Sequence, residues 1–176
     1  MTESILNLYK FADYWCTNVN DEFIILCFRR SSSPTSQGCI KTENGITFDN
    51  TNYKLNKDYN RFAKMTTFNG QAVIVGIVGS DIRTEFGKEV VKEANKYVEI
   101  FDGVSNQWLL KSPKDTSHLL NWITQFALVP LKNNLLHLGG NDIGSAPASS
   151  AYHSNYEISS FQLDSVYQKW IKMGTG

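Results

Sequence analysis

Hydrophobic and polar positions follow the same local pattern at three places along the chain. In each, a short apolar strand leads into a tight turn containing asparagine and then into a second apolar strand. The three segments read YWCTNVNDEFIILCF (14–28), AKMTTFNGQAVIVGI (63–77) and FALVPLKNNLLHLGG (126–140). Paired strands with such turns are typical of β-hairpins. A unit of this size cannot bury its apolar face alone, so we expect the three units to stack on one another.

A second pattern follows each hairpin. An apolar residue is followed by turn-forming residues, and a large apolar residue arrives seven positions after the first. The pairs in these two places are Phe48 and Leu55, Phe101 and Trp108, and Leu163 and Trp170. Asp49, Asp102 and Asp164 come directly after the first position, where a carboxylate can accept backbone N–H groups in a turn. Each unit is therefore predicted to contain four antiparallel strands.

Each unit resembles a kelch repeat, which is one blade of a β-propeller with a period of about 50 residues. The third copy carries Gly139 and Gly140, the doublet that ends the second strand in that family, whereas the second copy has Gly76 followed by Ile77 in that place. The resemblance covers about residues 14–172. It implies an all-β chain of about three four-stranded blades, similar in architecture to the central domain of galactose oxidase. Phe101, Trp108, Leu163 and Trp170 are expected to be buried between the sheets.

The repeats divide the chain into an N-terminal segment and three blades, at residues 1–13, 14–62, 63–125 and 126–176. Closed propellers use about four to eight blades, so three blades make an incomplete propeller. We expect the chain to be a fragment of a longer propeller. The alternatives are copies that self-associate to cover the open blade faces, or end blades that are only partly ordered. The N-terminal segment is predicted to be either the outer strand of a preceding blade or a short helix.

Composition and charge exclude several classes of protein. The formal net charge is zero and the pI is near 6.8, so we expect neither a nucleic-acid partner nor an anionic membrane partner. No apolar run approaches the 18 residues of a membrane-spanning helix. The N-terminus as written has no basic leader and no apolar core of a secretory signal, which makes the cytoplasm the default location.

The three cysteines lie in the first unit. A two-residue turn at 20–21 would place Cys16 opposite Ile25, and Cys27 and Cys39 would be neighbours on adjacent strands. Those two cysteines could pair. An odd number of cysteines without a signal peptide, however, favours buried free thiols. No histidine or carboxylate stands at the spacing of a metal site with them, so no metal is predicted.

The sequence contains no motif for catalysis or cofactor binding. There is no GxSxG, phosphate loop or HExxH pattern, and we predict no catalytic residue, no cofactor and no enzyme activity. His137 stands within the apolar strand LLHLGG and is predicted to be a core imidazole. The Gly139–Gly140 doublet is interpreted as room for close backbone packing. The copper site of galactose-oxidase-like enzymes needs Tyr and His ligands that cannot be assigned here.

The connections between strands fall into two classes. Short turns lie on one face of the predicted blades, and long loops lie on the other, at about 29–38, 56–62, 77–96, 112–125 and 141–156. Long loops on a rigid scaffold commonly carry binding residues. All four arginines fall in them, and with two further residues they form the predicted partner-binding set: Arg29, Arg30, Arg61, Arg83, Trp122 and His153. The loop at 77–96 could instead hold a helix with Val90, Val91 and Ala94 on its apolar side.

These observations favour a non-enzymatic kelch-type module that binds a protein partner across the long-loop face. The arginines would supply charge-assisted contacts to acidic or carboxylate-bearing groups of that partner. The alternative is a galactose-oxidase-like propeller enzyme or a glycan-binding propeller.

Overall fold

The protein is described by a computed structural model. It covers residues 11–30, 33–49, 51, 53–59, 62–78, 84–85, 88–89, 93–111, 123–124, 126–142, 159–163 and 170–175. All regular structure in these ranges is β-strand, arranged in three antiparallel blade-like sheets and two short ribbons. The prediction of an all-β chain of incomplete propeller blades is confirmed. In this part of the chain, no helix has the length and hydropathy needed to cross a bilayer.

Each sheet is an antiparallel meander. The first contains β1 (Phe11–Val19), β2 (Phe23–Arg30) and β3 (Ser33–Thr42). The second contains β4 (Lys64–Phe68), β5 (Gln71–Val78), β8 (Glu93–Asp102) and β9 (Gln107–Lys111). The third contains β11 (Ala127–Leu131), β12 (Asn134–Leu138), β14 (Ser159–Leu163) and β15 (Trp170–Thr175). β1 begins at Phe11, three residues before the predicted start of the first blade.

Two short ribbons lie between the strands of these sheets. β6 (Thr84–Glu85) pairs with β7 (Lys88–Glu89), and β10 (Ile123–Thr124) pairs with β13 (Asn141–Asp142). The predicted helix alternative within 77–96 is wrong where the structure describes that segment. Its described residues are strands, and Ala94 belongs to β8. Val90 and Val91 lie outside the described residues.

The tight turns set the strand register. Asn69 and Gly70 join β4 to β5 with φ values of 49° and 72°, as a two-residue hairpin turn of Asn-Gly type requires. The first hairpin differs from its prediction, because Val19 pairs with Phe23 and the turn therefore holds three residues, 20–22. The extra residue shifts the register by one, so Cys16 lies opposite Leu26 rather than Ile25.

The predicted repeat positions fit the second and third sheets. Phe101 pairs directly with Trp108, and Leu163 pairs directly with Trp170, each across the third and fourth strands of its sheet. Phe101 and Trp108 are both buried, as predicted. The side chains of Leu163 and Trp170, and the whole of Asp164, lie outside the description.

The first sheet departs from the repeat. β3 covers Ser33–Thr42, so the predicted long loop at 29–38 is wrong. β3 also ends well before Phe48, and the chain then turns at 43–48 and runs back beside β3 as an irregular fourth segment. In this segment Asp49 N–H donates to Lys41 O at 2.7 Å and Tyr53 N–H donates to Cys39 O at 3.0 Å. Phe48 and Leu55 therefore do not hold the places of Phe101 and Trp108.

Two apolar cores join the three sheets. The first lies between the first and second sheets and includes Trp15, Ile25, Cys27, Tyr53, Ile74, Phe101 and Trp108. The second lies between the second and third sheets and includes Phe68, Val73, Val75, Val98, Ile100, Phe126 and Leu135. β5 contributes alternate residues to both cores and is buried on both faces, which explains its continuous apolar sequence.

Cys27 and Cys39 form a disulfide between β2 and β3. The prediction of buried free thiols is therefore wrong for this pair. The two residues are direct cross-strand partners, and both side chains are fully buried. Cys16 lies on the opposite face of the sheet as an exposed thiol.

Two glycine positions show different physical requirements. A Cβ on Gly76 would lie 2.5 Å from Cα of Ala63, so β5 approaches the neighbouring backbone too closely for a side chain. Gly139 has φ of 61° and nothing within 4 Å of a Cβ position. The doublet follows the end of β12, as predicted, but the requirement at Gly139 is its left-handed backbone, and the interpretation as close packing is wrong there.

Candidate functional site

Arg29 is a buried structural residue. It belongs to β2, its side chain is 5% exposed, and its guanidinium contacts the Asp13 carboxylate at 2.6 Å. Arg29 lies two residues beyond Cys27 and therefore on the same face, toward the second sheet. The prediction that Arg29 stands in a partner-binding loop is wrong, because β2 continues through it.

Of the other predicted binding residues, the structure describes only the backbone of Arg30. Arg30 is also in β2, where its backbone pairs with Phe11 and Ser33, so its predicted loop placement is wrong as well. Arg61, Arg83, Trp122 and His153 lie outside the described residues, and their roles stay predictions.

A buried carboxylate joins the first two sheets. Glu99 lies in β8 with no exposed surface and accepts hydrogen bonds from the segment that connects the sheets. One oxygen accepts the Asn56 N–H at 2.7 Å and the Asn56 side-chain amide at 3.0 Å, and the other accepts the Lys57 N–H at 2.7 Å. The Asn56 amide also donates to Trp108 O at 2.7 Å. Glu99 thus fixes the connecting segment to the second sheet.

The surroundings of Glu99 define its electrostatics. Burial raises the pKa of Glu99, and the hydrogen bonds from Asn56 and Lys57 oppose this rise. Burial is the main cause that raises the pKa of Tyr59 well above its usual value, and the nearby Glu99 carboxylate is the second cause. Gln37 contacts the Tyr59 backbone from the other side. Its side-chain nitrogen donates to Tyr59 O, and its side-chain oxygen accepts the Tyr59 N–H at 3.2 Å.

Sequence reasoning missed Glu99, although the sequence does contain a signal. Glu99 stands between Val98 and Ile100 within an apolar strand, and a lone charge there is costly unless its hydrogen bonds are satisfied. With no exposed surface and both oxygens occupied by protein donors, this carboxylate is suited to holding the fold rather than to reacting with a solute.

His137 is part of the core between the second and third sheets. Its ring is fully buried and stacks on Phe126 with ring centroids 4.0 Å apart and planes 15° apart. Burial lowers its pKa to about 4, so the imidazole is neutral at pH 7. The prediction of a core imidazole is confirmed. Across the described residues, no group of three or more His, Cys, Asp or Glu side chains is placed to hold a metal ion.

The short turns form a connected surface, here called the turn face. It comprises the turns at 20–22, 43–48, 69–70, 103–106 and 132–133. The side-chain amide of Asn20 donates to Gly70 O at 3.2 Å, and Lys41 Nζ donates to Asn106 Oδ1 at 3.4 Å. Both contacts join the first sheet to the second, so neighbouring turns are held together.

Two turns of this face present large apolar side chains to solvent. Ile46 is 74% exposed in the turn at 43–48, and Val104 is 93% exposed in the turn at 103–106. Lys41, at the end of β3 just before the first of these turns, contacts Asn106 in the second. Exposed apolar side chains on adjacent rigid turns are suited to contact with a protein surface.

Side-chain hydrogen bonds fix both turns. Asn44 Oδ1 accepts the N–H groups of Ile46 at 2.9 Å and of Thr47 at 2.8 Å. Asp102 accepts the Val104 N–H at 3.0 Å and the Ser105 hydroxyl at 2.6 Å, and these bonds lower the pKa of Asp102. The backbone that carries Ile46 and Val104 is therefore fixed by hydrogen bonds within each turn.

The predicted role of the repeat aspartates is confirmed at two of three positions. Asp102 accepts a backbone N–H two residues ahead, and Asp49 accepts the Thr51 N–H at 2.8 Å in the same way. A hydrogen bond from the Tyr53 hydroxyl is the main cause that lowers the pKa of Asp49 to about 2.

Comparison with known proteins shows the fold alone. No family model and no curated protein matches the chain. Among solved structures, it is similar to YjhT, with 14% identity, 94% of this chain and 52% of that one covered, and a TM-score of 0.62. It is also similar to a mutant α-L-arabinofuranosidase, arb93a, from Fusarium graminearum in complex with an iminosugar inhibitor. That match has 13% identity, covers 93% of this chain and 48% of that one, and has a TM-score of 0.55.

Both similar structures have propeller-like folds, and this chain spans about half the length of each. Three blade-like sheets that follow one another along the chain are consistent with part of such a propeller.

Proposed function

We propose that this chain is a non-enzymatic kelch-type module that binds a protein partner through the turn face. The observation that carries the proposal is the exposure of Ile46 and Val104 on two adjacent turns of neighbouring sheets. Burying a side chain of this size in an interface contributes about 1.5–3 kcal/mol. The partner is expected to present an apolar patch to these two residues.

The rigidity of the turns adds to this argument. Binding costs free energy whenever mobile groups must be ordered. Asn44 and Asp102 already fix the backbone around Ile46 and Val104, so less ordering is needed when a partner binds. The turn face therefore offers pre-organised apolar contacts, which is a common property of interaction hot spots.

The long-loop face provides a second surface to test. Because Arg29 is buried in an ion pair, it cannot supply the charge-assisted contact that the sequence predicts. Arg30, Arg61 and Arg83, with Trp122 and His153, remain the residues of that hypothesis. Binding through arginines should weaken at high salt, whereas binding through Ile46 and Val104 should not.

The alternative is a galactose-oxidase-like enzyme or a glycan-binding propeller. One of the similar structures is an α-L-arabinofuranosidase with a bound iminosugar, which gives this alternative a concrete ligand class. Direct titration with arabinose, galactose, an iminosugar and Cu²⁺ distinguishes it from protein binding.

The experiment compares matched variants against a partner that the intact chain captures reproducibly. Replacing both Ile46 and Val104 with Ser should weaken the measured Kd at least about 100-fold, given the loss of two such contacts. Lys111→Ser, another exposed position, should bind normally. The double variant Arg61→Ser/Arg83→Ser tests the long-loop face.

Unchanged affinity in the Ile46 and Val104 variant would exclude the turn face as the binding surface. Loss of binding only in the arginine variant would move the site to the long loops. Stoichiometric binding of a sugar or of Cu²⁺ would favour the enzyme or glycan-binding alternative instead.

A further inference from the structure

The Cys27–Cys39 disulfide lies where the backbones of β2 and β3 do not bond to each other directly. Cys39 O accepts the Tyr53 N–H at 3.0 Å from the segment that runs beside β3. In an antiparallel ladder the N–H and C=O of one residue point to the same side, so both groups of Cys39 are directed away from Cys27. The Cα atoms of the two cysteines are 4.0 Å apart, which fits the closer, non-hydrogen-bonded type of pair. The disulfide is therefore the direct link between the two strands at this position.

β3 in turn holds the segment that leads to the second sheet. We call it the connecting segment, and its described residues are 49, 51 and 53–59. Along the outer edge of β3, backbone carbonyls accept the N–H groups of Asp49 and Tyr53. The Gln37 side chain, also from β3, bonds to both backbone polar groups of Tyr59. The position of the connecting segment thus depends on the position of β3.

The other side of the connecting segment is attached to the second sheet. The N–H groups of Asn56 and Lys57 each donate to Glu99 of β8 at 2.7 Å. Tyr59 forms a β-bridge with Val78 at the end of β5. In the described strand order β3 is an edge strand of the first sheet. Separation of β3 from β2 would therefore also loosen the attachment between the first two sheets.

We infer that the Cys27–Cys39 disulfide is a redox-dependent crosslink that keeps β3 and the connecting segment in place, and that the chain reaches its stable form only where thiols are oxidised. The sequence makes the cytoplasm the default location, but cytosolic glutathione and thioredoxin keep most thiols reduced. The inference favours an oxidising compartment instead. It concerns maturation and stability, so it goes beyond the proposed function and does not depend on it.

Formation of the crosslink is a thiol–disulfide exchange with a disulfide oxidant, which is either a small molecule or an oxidoreductase. Cys27 and Cys39 together lose two protons and two electrons, and one S–S bond forms between them. The S–S bond of the oxidant breaks, and the oxidant leaves as two thiols. Cys16 lies on the opposite face of the sheet as an exposed thiol, so the fold allows a single pairing within one chain.

Burial makes this disulfide a structural bond rather than a surface switch. Both cysteines have no exposed surface and belong to the core between the first and second sheets. A reductant reaches them only when β3 opens, whereas it reaches Cys16 in the folded protein. The bond is therefore made as the chain folds and is retained afterwards.

The first experiment counts free thiols in the chain expressed in the oxidising periplasm and in the reducing cytoplasm of one bacterial host. Each sample is alkylated in denaturant at lysis and analysed by mass spectrometry. We expect Cys16 alone to be alkylated in the periplasmic chain, and all three cysteines in the cytoplasmic chain. Three alkylated cysteines in the periplasmic chain would overturn the crosslink. A disulfide already present in the cytoplasmic chain would overturn the need for an oxidising compartment.

The second experiment measures the contribution of the bond to stability. The parent is a Cys16→Ser chain, in which no exposed thiol can join two copies. Reductant should raise its unfolding equilibrium constant in urea at least about 30-fold, as is typical when a disulfide that closes a short loop is lost. The matched variant, Cys27→Val/Cys39→Val, fills both positions without a bond and should unfold alike with and without reductant. Equal stability of the parent under both conditions would overturn the inference.

Hydrogen exchange identifies the part of the fold that the bond holds. It is measured under native conditions on the oxidised parent, on the parent refolded in reductant, and on the Cys27→Val/Cys39→Val chain. Without the bond, exchange should accelerate at least about 10-fold in β3 and in the connecting segment, and stay unchanged in the hairpin of β11 and β12. Equal acceleration in all three sheets, or none in β3, would contradict a crosslink that acts on β3 and the connecting segment.

Discussion

Protonation of the buried His137 should make the stability of this protein depend on pH. In the folded protein its pKa is lowered from 6.5 to about 4, and the main cause is burial. In the unfolded chain the imidazole is exposed to water and titrates near 6.5. Between these two values the unfolded state binds a proton that the folded state does not, so the free energy of unfolding falls as the pH falls. Below about 4 both states are protonated and this dependence ends.

The size of the effect follows from the two pKa values. The full difference between 6.5 and about 4 corresponds to about 3 kcal/mol of stability. Over the experimentally convenient interval from pH 7 to pH 5, His137 accounts for a loss of about 2 kcal/mol. A loss of this size is easily measured by urea unfolding, because it is a large share of the stability of a small domain.

The matched variant is His137→Phe. Phenylalanine can keep the stacking contact with Phe126 and cannot titrate. The free energy of unfolding of both proteins is measured at pH 7 and pH 5, and the difference between the two proteins isolates His137 from every other titrating group. We expect the wild-type protein to lose about 2 kcal/mol more than the variant.

An equal loss in both proteins would refute the reasoning, since it would mean that His137 titrates alike in the folded and unfolded states. A histidine that is accessible to solvent, as a catalytic base or a metal ligand would be, gives that result. The measurement therefore also tests whether His137 belongs to the core.

Three further substitutions test the packing by denaturant unfolding. Glu99→Gln should cost about 1–3 kcal/mol, because the new amide nitrogen would face an N–H donor instead of accepting its hydrogen bond. An unchanged denaturation midpoint would show that the Glu99 carboxylate does not stabilise the fold. Gly76→Ala should cost about 1–3 kcal/mol through overlap with Ala63. Gly103→Ala is the control, because a Cβ there would make only an ordinary contact with the Phe23 ring at 3.9 Å, and it should change stability by less than about 0.5 kcal/mol; equal effects would contradict the close approach at Gly76. Trp108→Ala should cost about 3–5 kcal/mol as a core aromatic, and a negligible cost would place it at the surface.

Local signals in the sequence were sufficient for much of the fold. The alternation of apolar residues and the asparagine turns predict the hairpins, and the spacing from Phe101 to Trp108 predicts a pair that lies directly across two strands. The same spacing from Leu163 to Trp170 predicts the corresponding pair in the third sheet. Such features depend on residues close in sequence, where turn chemistry and strand periodicity determine the structure.

The first sheet contains a local turn signal that the repeat pattern does not predict. Asn44 and Gly45 form an Asn-Gly dipeptide, which is a strong turn signal, and Asn44 does hold the turn after β3. The repeat pattern instead favoured Phe48 and Leu55 as the equivalent strand positions. Tyr53 is the residue that returns beside β3, through its N–H bond to Cys39 O.

The candidate site depends on contacts that sequence alone does not determine. Arg29 reads as the start of a loop because two arginines end an apolar run, yet it is buried because Asp13 lies opposite it in β1. That pairing depends on the three-residue turn at 20–22, since a two-residue turn would move the register by one. The hydrogen bonding of Glu99 likewise depends on where the segment containing Asn56 crosses the second sheet.

At several described positions, charged side chains are buried and apolar side chains are exposed. Arg29 and Glu99 lie inside the molecule, where they join β1 to β2 and the connecting segment to β8. Ile24, Val104 and Leu131 lie at the surface. A buried charge is retained when it specifies one arrangement of elements, and an exposed apolar side chain gains free energy only when another surface covers it. The internal charges therefore help to specify how β1 pairs with β2 and where the connecting segment meets β8, and the exposed apolar residues are the candidates for the proposed partner contacts.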